Sequence, residues 1–250
     1  MAENHIADPL QARARDCAAA IGALFNGVFD TLQRWRSLVE ASTAWGAGDI
    51  DPAVYAMVKP ELTAADPMLI GAGFIAAPGV VRGKGLHFAW WLGPLEDNPI
   101  LGTTTEPSQL DLASRDYADY LRDLSALEWY RVPEATGARH ITGPYVDHLC
   151  TCDYILTLTA PVTVGGTMAG VVGADLLVRR LERDALPLMR AVEAPAVLLS
   201  AAGRVVVSTD PSLPVGTLAA PDAAPAAGPG LRGAFACPGT NLKIMMEKVP

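Results

Sequence analysis

The sequence predicts an α+β fold in which one long N-terminal helix precedes antiparallel sheets. Three observations carry this prediction: a helical apolar stripe near the N-terminus, an alternating strand followed by a Gly-Gly turn in the middle, and a hairpin, helix and second hairpin towards the end. Parallel strands alternating with helices are not indicated, which argues against a doubly wound nucleotide-binding fold.

The first element is a helix that starts after Asp8-Pro9 and runs to about Trp45. A helix of this length either lies along the flank of the protein or also pairs with a second copy in a homodimer. The apolar residues of its stripe recur every three or four positions: Cys17, Ile21, Leu24, Val28, Leu32, Trp35 and Val39.

The elements that follow are expected in a regular order along the chain. The first group is a short helix and turn broken by Pro60 and Pro67, two strands, a polar turn-rich segment and a helix, at residues 51–70, 71–76, 86–92, 96–107 and 110–127. The second group is a strand, its return strand, a helix bent or ended by Pro187, a hairpin, a loop rich in Ala, Pro and Gly, and a last strand, at residues 154–162, 167–175, 176–192, 196–208, 219–233 and 234–250.

Composition limits the classes of function. The chain has 250 residues, half of them apolar, so it can bury a core without metal or disulfides. The net charge of -8 argues against nucleic acid as a partner. No signal sequence or transmembrane segment is apparent, so we expect no membrane insertion and a cytoplasmic location with free thiols at Cys17, Cys150, Cys152 and Cys237.

Four ordered motifs resemble the ligand-binding part of a Cache domain, a PAS-like sensor module of bacterial chemoreceptors and histidine kinases. They are Trp129-Tyr130, the run TGPYVD at 142–147, a strand that ends with APV at 160–162, and GVVGAD at 170–175. Residues 203–211 with Gly216 resemble the first hairpin of the second module of double Cache domains. The resemblance covers about residues 10–220.

The resemblance implies a soluble, stand-alone relative, because the membrane helices and transmitter domain usual in the family are absent from this sequence. It implies three parts: the long helix at 1–48, a ligand-binding Cache module at 49–192, and a smaller, truncated second module at 193–250 that contains the loop 219–233.

The amino-acid-binding branch of that family implies the site residues. There, two acids hold the ligand ammonium, and a Tyr, an Arg and a Trp-Tyr pair hold its carboxylate. Asp147 and Asp175 match the acids, whereas Leu127 stands where the branch has Arg. The remaining matched or neighbouring positions are Trp129, Tyr130, Arg122, which replaces the first Tyr, and Tyr120, two residues earlier.

The residue chemistry is compatible with a cationic ligand. The rings of Trp129, Tyr130 and Tyr145 can face a cation, and two neighbouring carboxylates favour one. We expect a biogenic amine, polyamine or quaternary amine, or a zwitterionic amino acid if Arg122 or Arg131 reaches the site. The alternative is structural: rings in the core, Tyr145 bracing a turn and Asp175 capping the helix that follows.

No cofactor or metal is predicted. His148, Cys150 and Cys152 lack the separated ligand pairs of ordinary zinc sites, and free thiols are expected. His87 is expected in the core or at its rim rather than in a pocket wall. Enzyme motifs for serine hydrolases, phosphate loops, zincins and dinucleotides are absent from the sequence.

The sequence therefore predicts a sensor or binding protein that closes the loop 131–145 over its ligand and signals to an unknown downstream regulator. Two other classes stay open. One is an enzyme acting on an amine or amino acid with Asp147 as its base, and the other is a scaffold whose N-terminal helix binds a partner.

Overall fold

The computed structural model describes residues 9–42, 46–98, 102–110, 126–148, 151–219 and 231–247. The elements in chain order are α1 (Pro9–Glu40), α2 (Ala47–Leu62), β1 (Leu69–Ala76), β2 (His87–Leu92), β3 (Leu95–Asn98), β4 (Gly102–Thr104), β5 (Ser108–Gln109), α3 (Glu128–Thr136), β6 (His140–Val146), β7 (Tyr154–Val164), β8 (Thr167–Leu177), α4 (Val178–Arg190), β9 (Ala196–Leu199), β10 (Val205–Ser208), β11 (Leu231–Ala236) and β12 (Lys243–Glu247).

The strands of the described ranges form three sheets, and the α+β prediction is confirmed. The largest sheet has six strands in the order β5-β2-β1-β8-β7-β6, the second has four in the order β10-β9-β12-β11, and β3 pairs with β4. Every strand pair whose register is described is antiparallel.

The chain is divided into two compact units. One contains Met1–Gly27, Gly143–Tyr145 and Val178–Pro250, and its four-stranded sheet buries Val197, Leu199, Val205 and Met245. The other contains Val28–Thr142 and Val146–Leu177, with the central strands of the six-stranded sheet. The three-part division at residues 48 and 192 stays a prediction.

The long N-terminal helix ends at Glu40, a few residues before the predicted end at Trp45. Ser42 bonds the carbonyl of Val39, so the last turn has already tightened there. The apolar stripe is buried within the chain itself, including Val28 at 9% exposure, while Leu24 is partly buried. Burial of this stripe therefore does not require a second copy.

Two predictions for the first half of the chain are wrong: the bounds of the second helix and the absence of strands in the turn-rich segment. α2 begins at Ala47 and continues through Pro60, because its apolar residues pack on β1 and β2 at helical spacing. The buried residues of α2 are Ile50, Val54, Val58 and Leu62. The turn-rich segment contains β3 and β4, which alternation could not reveal in so short and polar a hairpin. Most of the helix predicted at 110–127 lies outside the described residues.

The closing loop predicted at 131–145 is wrong as well. Most of that stretch is regular structure: α3, which ends at Gly137 in the left-handed conformation with φ 65°, and β6. The prediction missed α3 because the helix is short and carries Pro133 inside it.

The central hairpin agrees with its prediction, but the helix after it starts later. β7 and β8 pair as far as Ile155 and Leu177, so Asp175 lies inside β8 and α4 starts at Val178. Asp175 is therefore not the cap of the following helix. Pro187 lies within α4, which ends at Arg190.

The C-terminal strands extend the prediction. The hairpin at 196–208 is present as β9 and β10, and the last strand is present as β12. The predicted loop at 219–233 is wrong at its end, because β11 begins at Leu231 and pairs with β12. Residues 220–230 lie outside the described residues.

Candidate ligand-binding site

The four central strands of the six-stranded sheet, β2, β1, β8 and β7, present two different faces. Partners that lie directly opposite each other in a sheet share a face, so the register fixes which side chains stand together. We call one side the Trp91 face, with Ala72, Phe74, Ala89, Trp91, Leu158 and Ala174, and the other the Asp175 face, with Gly71, Gly73, Trp90, Thr157, Thr159, Gly173 and Asp175.

The Trp91 face is an ordinary core. Trp91 stacks on Tyr55 of α2 with ring centroids 5.4 Å apart. His87 shares this face and its Nε2 lies 2.6 Å from Asp51 of α2, which also accepts a hydrogen bond from Gln109 at 3.1 Å. His87 is thus partly buried at the rim of this face, as expected, and away from the Asp175 face.

Glycines form the floor of the Asp175 face. A Cβ on Gly73 would meet the backbone of Ala89 and the Cα of Trp90, so no larger residue fits there. The Trp90 indole lies flat against the sheet, over Gly71 and Gly173. Its Nε1 is 3.0 Å from where a Cβ of Gly71 would stand, and its Cη2 is 3.3 Å from the equivalent point on Gly173.

Asp175 is the one carboxylate of the four central strands, which carry no Lys or Arg. Its Oδ1 accepts a hydrogen bond of 2.6 Å from the Thr157 hydroxyl. Burial first, and then the charge of Asp147, raise the pKa of Asp175 to about 8. Asp175 as a whole residue is nevertheless only partly buried, so it is not sealed in the core.

Asp147 follows β6 and is 7% exposed. Its Oδ2 accepts hydrogen bonds from the backbone N–H and the hydroxyl of Thr151, at 2.9 Å and 3.1 Å. The carboxylate therefore organises the turn that leads to β7, and its charge reaches Asp175. A general base at Asp147 would have to give up this turn, which weakens the enzyme alternative.

α3 covers the Asp175 face. The Thr159 hydroxyl donates to the Trp129 carbonyl at 2.8 Å, and α3 packs on β7 and β8. The rings of Trp129 and Tyr130 are nearly perpendicular, with centroids 6.2 Å apart. Tyr130 is 4% exposed and Trp129 is partly buried. Aromatic rings and a carboxylate thus meet on one side of the sheet.

A histidine links α3 to β6. His140 Nε2 lies 2.8 Å from Glu128 Oε1, and this hydrogen bond is the first cause of the lowered pKa of Glu128. The guanidinium of Arg139, the residue before β6, lies over the ring of Phe29 in α1. The hydrogen bond between His140 and Glu128 therefore holds the start of α3 against β6.

The other predicted site residues have different surroundings. Leu127 precedes α3, and its carbonyl accepts the N–H of Tyr130 and of Arg131. Its side chain is apolar, so the position supplies no charge. Arg131 is exposed on α3, where its charge acts on Glu128. Tyr145 is partly buried in β6. Tyr120 and Arg122 lie outside the described residues, and the ligand contacts of all eight site residues stay predictions.

Sequence reasoning missed three groups on or near the Asp175 face. Trp90 and Thr157 were assigned to strands, but only the register places them beside Asp175. Thr142 shares the strand phase of His140, which points to α3, and its buried Oγ1 has no hydrogen-bond partner among the described residues. A buried hydroxyl without a partner is costly, which makes it a signal of function or strain.

The cysteine cluster was predicted to hold free thiols and no metal ion. Within the described ranges, no three His, Cys, Asp or Glu residues are placed to hold a metal ion. Cys152 is exposed in the turn after β6, and Cys150 is outside those ranges. Cys17 and Cys237 are buried free thiols, and burial raises the pKa of Cys17 to about 11.

Comparison with solved structures gives matches over nearly the whole chain. The ligand-binding domain of the Pseudomonas fluorescens chemoreceptor CtaA, in complex with L-valine, has 18% identity and a TM-score of 0.61, with 96% of this chain and 94% of that chain covered. The amino-acid chemoreceptor PctC of Pseudomonas aeruginosa PAO1, in complex with GABA, has 18% identity and a TM-score of 0.58, covering 97% and 100%. This chain has a Cache fold.

A third Cache-fold match is the ligand-binding domain of the amino-acid chemoreceptor PctB from the same Pseudomonas aeruginosa strain, in complex with L-Arg. It has 16% identity and a TM-score of 0.61, and the alignment covers 98% of this chain and 95% of that chain. No family model matches the sequence. Among the described helices, none is both long and apolar enough to cross a membrane.

Proposed function

We propose that this Cache-fold chain is a sensor module that binds a small amine-bearing metabolite on the Asp175 face. The observation that carries the proposal is the carboxyl of Asp175, which is partly accessible, lies on strands without Lys or Arg and is subject to the charge of Asp147. A buried carboxylate is costly unless a cation pairs with it. An ammonium group bound beside this carboxyl supplies that cation.

An amino acid is the ligand class we favour. The domains of CtaA, PctC and PctB were solved with L-valine, GABA and L-Arg, and all three ligands carry both an ammonium and a carboxylate. A second candidate is an amine without a carboxylate, because Leu127 supplies no charge at the place where the amino-acid-binding branch has Arg.

Binding of the ammonium would change the ionisation of Asp175. In the empty site the pKa of about 8 keeps this carboxyl mostly protonated at neutral pH. A cation beside it favours the ionised form, so the ligand is bound with release of a proton. The rings of Trp129 and Tyr130 on α3 would face the same cation and add an attraction of about 0.5–2 kcal/mol each.

The proposal also includes a signalling step that follows ligand binding. Ligand held between α3 and the sheet would shift the position of α3 and so change the surface offered to a regulator. The role is binding rather than catalysis, which the sensor domains among the comparison structures support. Association of two copies through the exposed side of α1, and a cytoplasmic location, remain predictions.

Thermal unfolding in the presence of the standard amino acids and of their decarboxylated amines tests the proposal. A ligand at 100 times its dissociation constant stabilises the folded state by about 2.7 kcal/mol, which is readily seen. We expect Asp175→Asn to lose this stabilisation and Asp30→Asn, an exposed acid on α1, to retain it. Equal stabilisation of Asp175→Asn and wild type, or none in wild type, contradicts the proposal.

A further inference from the structure

The two polar atoms closest to the glycine floor belong to Trp90 and Asp175. Trp90 Nε1 and Asp175 Oδ2 lie 3.0 Å and 3.2 Å from the point where a Cβ of Gly71 would stand. They therefore approach one point of the floor from two sides. A hydrogen-bond donor and a carboxyl group are thus close to each other at the base of the site.

The indole N–H has no partner within the described part of the chain, although Trp90 as a whole is only 4% exposed. Thr142 Oγ1 is the one fully sealed polar side-chain atom there without a partner. Trp90 Nε1 consequently keeps some accessible surface, and it lies near the same point of the floor as Asp175 Oδ2. A buried indole N–H normally finds an acceptor, so this one is available to a ligand.

An amino acid has the complementary pair of groups. In an α-amino acid a single carbon atom separates the ammonium from the carboxylate, so the two groups need an acceptor and a donor next to each other. Asp175 can only receive the ammonium, since it is an acceptor once ionised, and the indole N–H can only donate. The four central strands carry no Lys or Arg that could take the carboxylate instead.

We propose that the Trp90 indole N–H binds the carboxylate of the ligand beside the ammonium held by Asp175, in place of a charged clamp at Leu127. This assigns Trp90 as a specificity-determining residue and names a zwitterionic α-amino acid as the ligand class. The inference rests on the proposed function, because it presumes that Asp175 receives the ammonium.

Trp90→Phe tests the inference, since it keeps a ring on the glycine floor and removes the N–H. Each standard amino acid and its decarboxylated amine serve as matched probes, for example L-valine with isobutylamine and L-arginine with agmatine, by calorimetric titration. We expect the variant to bind the amino acid about 10- to 100-fold more weakly, the usual effect of losing a hydrogen bond to a charged group. The affinity for the amine should change less than about threefold, since the amine has no carboxylate.

Trp91→Phe is the matched control, because the neighbouring tryptophan lies on the other face against Tyr55. It should leave both affinities unchanged. Gly71→Ala is an independent variant: its Cβ would meet only side-chain atoms, chiefly Trp90 Nε1 and Asp175 Oδ2, and would displace both. We expect weaker amino-acid binding from it, while Gly85→Ala, which meets nothing within 4 Å, should bind as wild type does.

The outcomes separate this inference from the proposed function. If wild type binds amines but no amino acid, or if Trp90→Phe weakens amine and amino acid equally, the role of the N–H is overturned while the Asp175 site stands. An unchanged amino-acid affinity in Trp90→Phe overturns it as well. If wild type binds no compound of either set, the proposed function and the inference both fail.

Discussion

Trp90 and Trp91 are adjacent in sequence, yet their side chains belong to opposite faces of one sheet. Trp91 packs on Tyr55 in an apolar core, where the nearby acid Asp51 has two partners, His87 and Gln109. Trp90 lies on glycines next to Asp175, and the carboxyl of Asp175 accepts one hydrogen bond from the described residues, that of Thr157. The same strands thus support an apolar core on one face and a carboxyl group close to an indole N–H on the other.

The difference indicates where this fold gives up stability. Natural proteins pair nearly all buried polar groups, so groups left without partners mark strain or a ligand site. On the Trp91 face, His87 and Gln109 both bond to Asp51. On the α3 side, the indole N–H of Trp90, one oxygen of the Asp175 carboxyl and the hydroxyl of Thr142 have no hydrogen-bond partner among the described residues.

Substitution of the two tryptophans should produce the largest effects. Trp91→Ala is expected to lower the free energy of unfolding by about 3–5 kcal/mol, as for other large core side chains, without changing ligand affinity in the protein that remains folded. Trp90→Ala should lower both quantities. Chemical denaturation and calorimetry measure them, and an affinity loss in Trp91→Ala as large as in Trp90→Ala would show that the faces are not independent.

The pH dependence of stability should also be large. The pKa of Asp175 is about 8 when folded, above the ordinary value of 3.8, so the folded state holds a proton that the unfolded chain releases between these values. The stability that this carboxyl contributes is full below about pH 4 and is lost as the pH rises through about 8, with a slope of up to ~1.4 kcal/mol per pH unit.

Asp175→Asn should therefore be less sensitive to pH than wild type when no ligand is present. Urea unfolding at several values between about pH 5 and pH 9 tests this, with Asp30→Asn as the exposed control. Parallel curves for wild type and Asp175→Asn would contradict the buried, protonated carboxyl. They would also remove the main physical difference between the two faces.

Two threonines on the α3 side should respond in opposite directions. Thr159→Val breaks the hydrogen bond to the Trp129 carbonyl and is expected to cost about 1–2 kcal/mol. Thr142→Val removes a buried hydroxyl without a partner and should stabilise the empty protein by about 1 kcal/mol. Thermal unfolding of both variants checks this, and a destabilised Thr142→Val would mean that the hydroxyl is satisfied after all.

The contact between Glu128 and His140 should have the smallest effect. Glu128 is 43% exposed, so solvent screens the pair and Glu128→Gln should cost less than about 1 kcal/mol. Because the pKa of Glu128 is lowered in the folded state, its contribution is present above the ordinary pKa of 4.5 and fades as the pH falls through the folded value. Glu134→Gln, exposed on the same helix, is the control for removing a surface carboxylate.

The sequence was sufficient for most of the framework. Strong periodicity located α1, the β7–β8 hairpin and the β9–β10 hairpin, because each buries a regular apolar pattern. It failed where no such pattern exists. The hairpin of β3 and β4 is short and polar, and α3 is a nine-residue helix with an internal proline.

The site could be predicted only in part. Asp175 and the Trp129-Tyr130 pair were chosen through a resemblance of ordered motifs, and the structure brings them to the same side of the sheet. Trp90 was missed because it lies on β2 and Asp175 lies on β8, and the two approach each other only across Gly71 of β1, the strand between them. A single sequence contains the alternation of each strand but not the register between strands.

The glycines at positions 71, 73 and 173 set the depth of the site through the carbon atoms they lack. A methyl group has no room at Gly73, where it would meet the backbone of Ala89, and at Gly71 it would displace the indole of Trp90 and the carboxyl of Asp175. Residues that bind nothing themselves would thus control the positions of the groups proposed to contact the ligand. The capacity of the site to change its ligand would thus reside beneath it, in the backbone of the sheet.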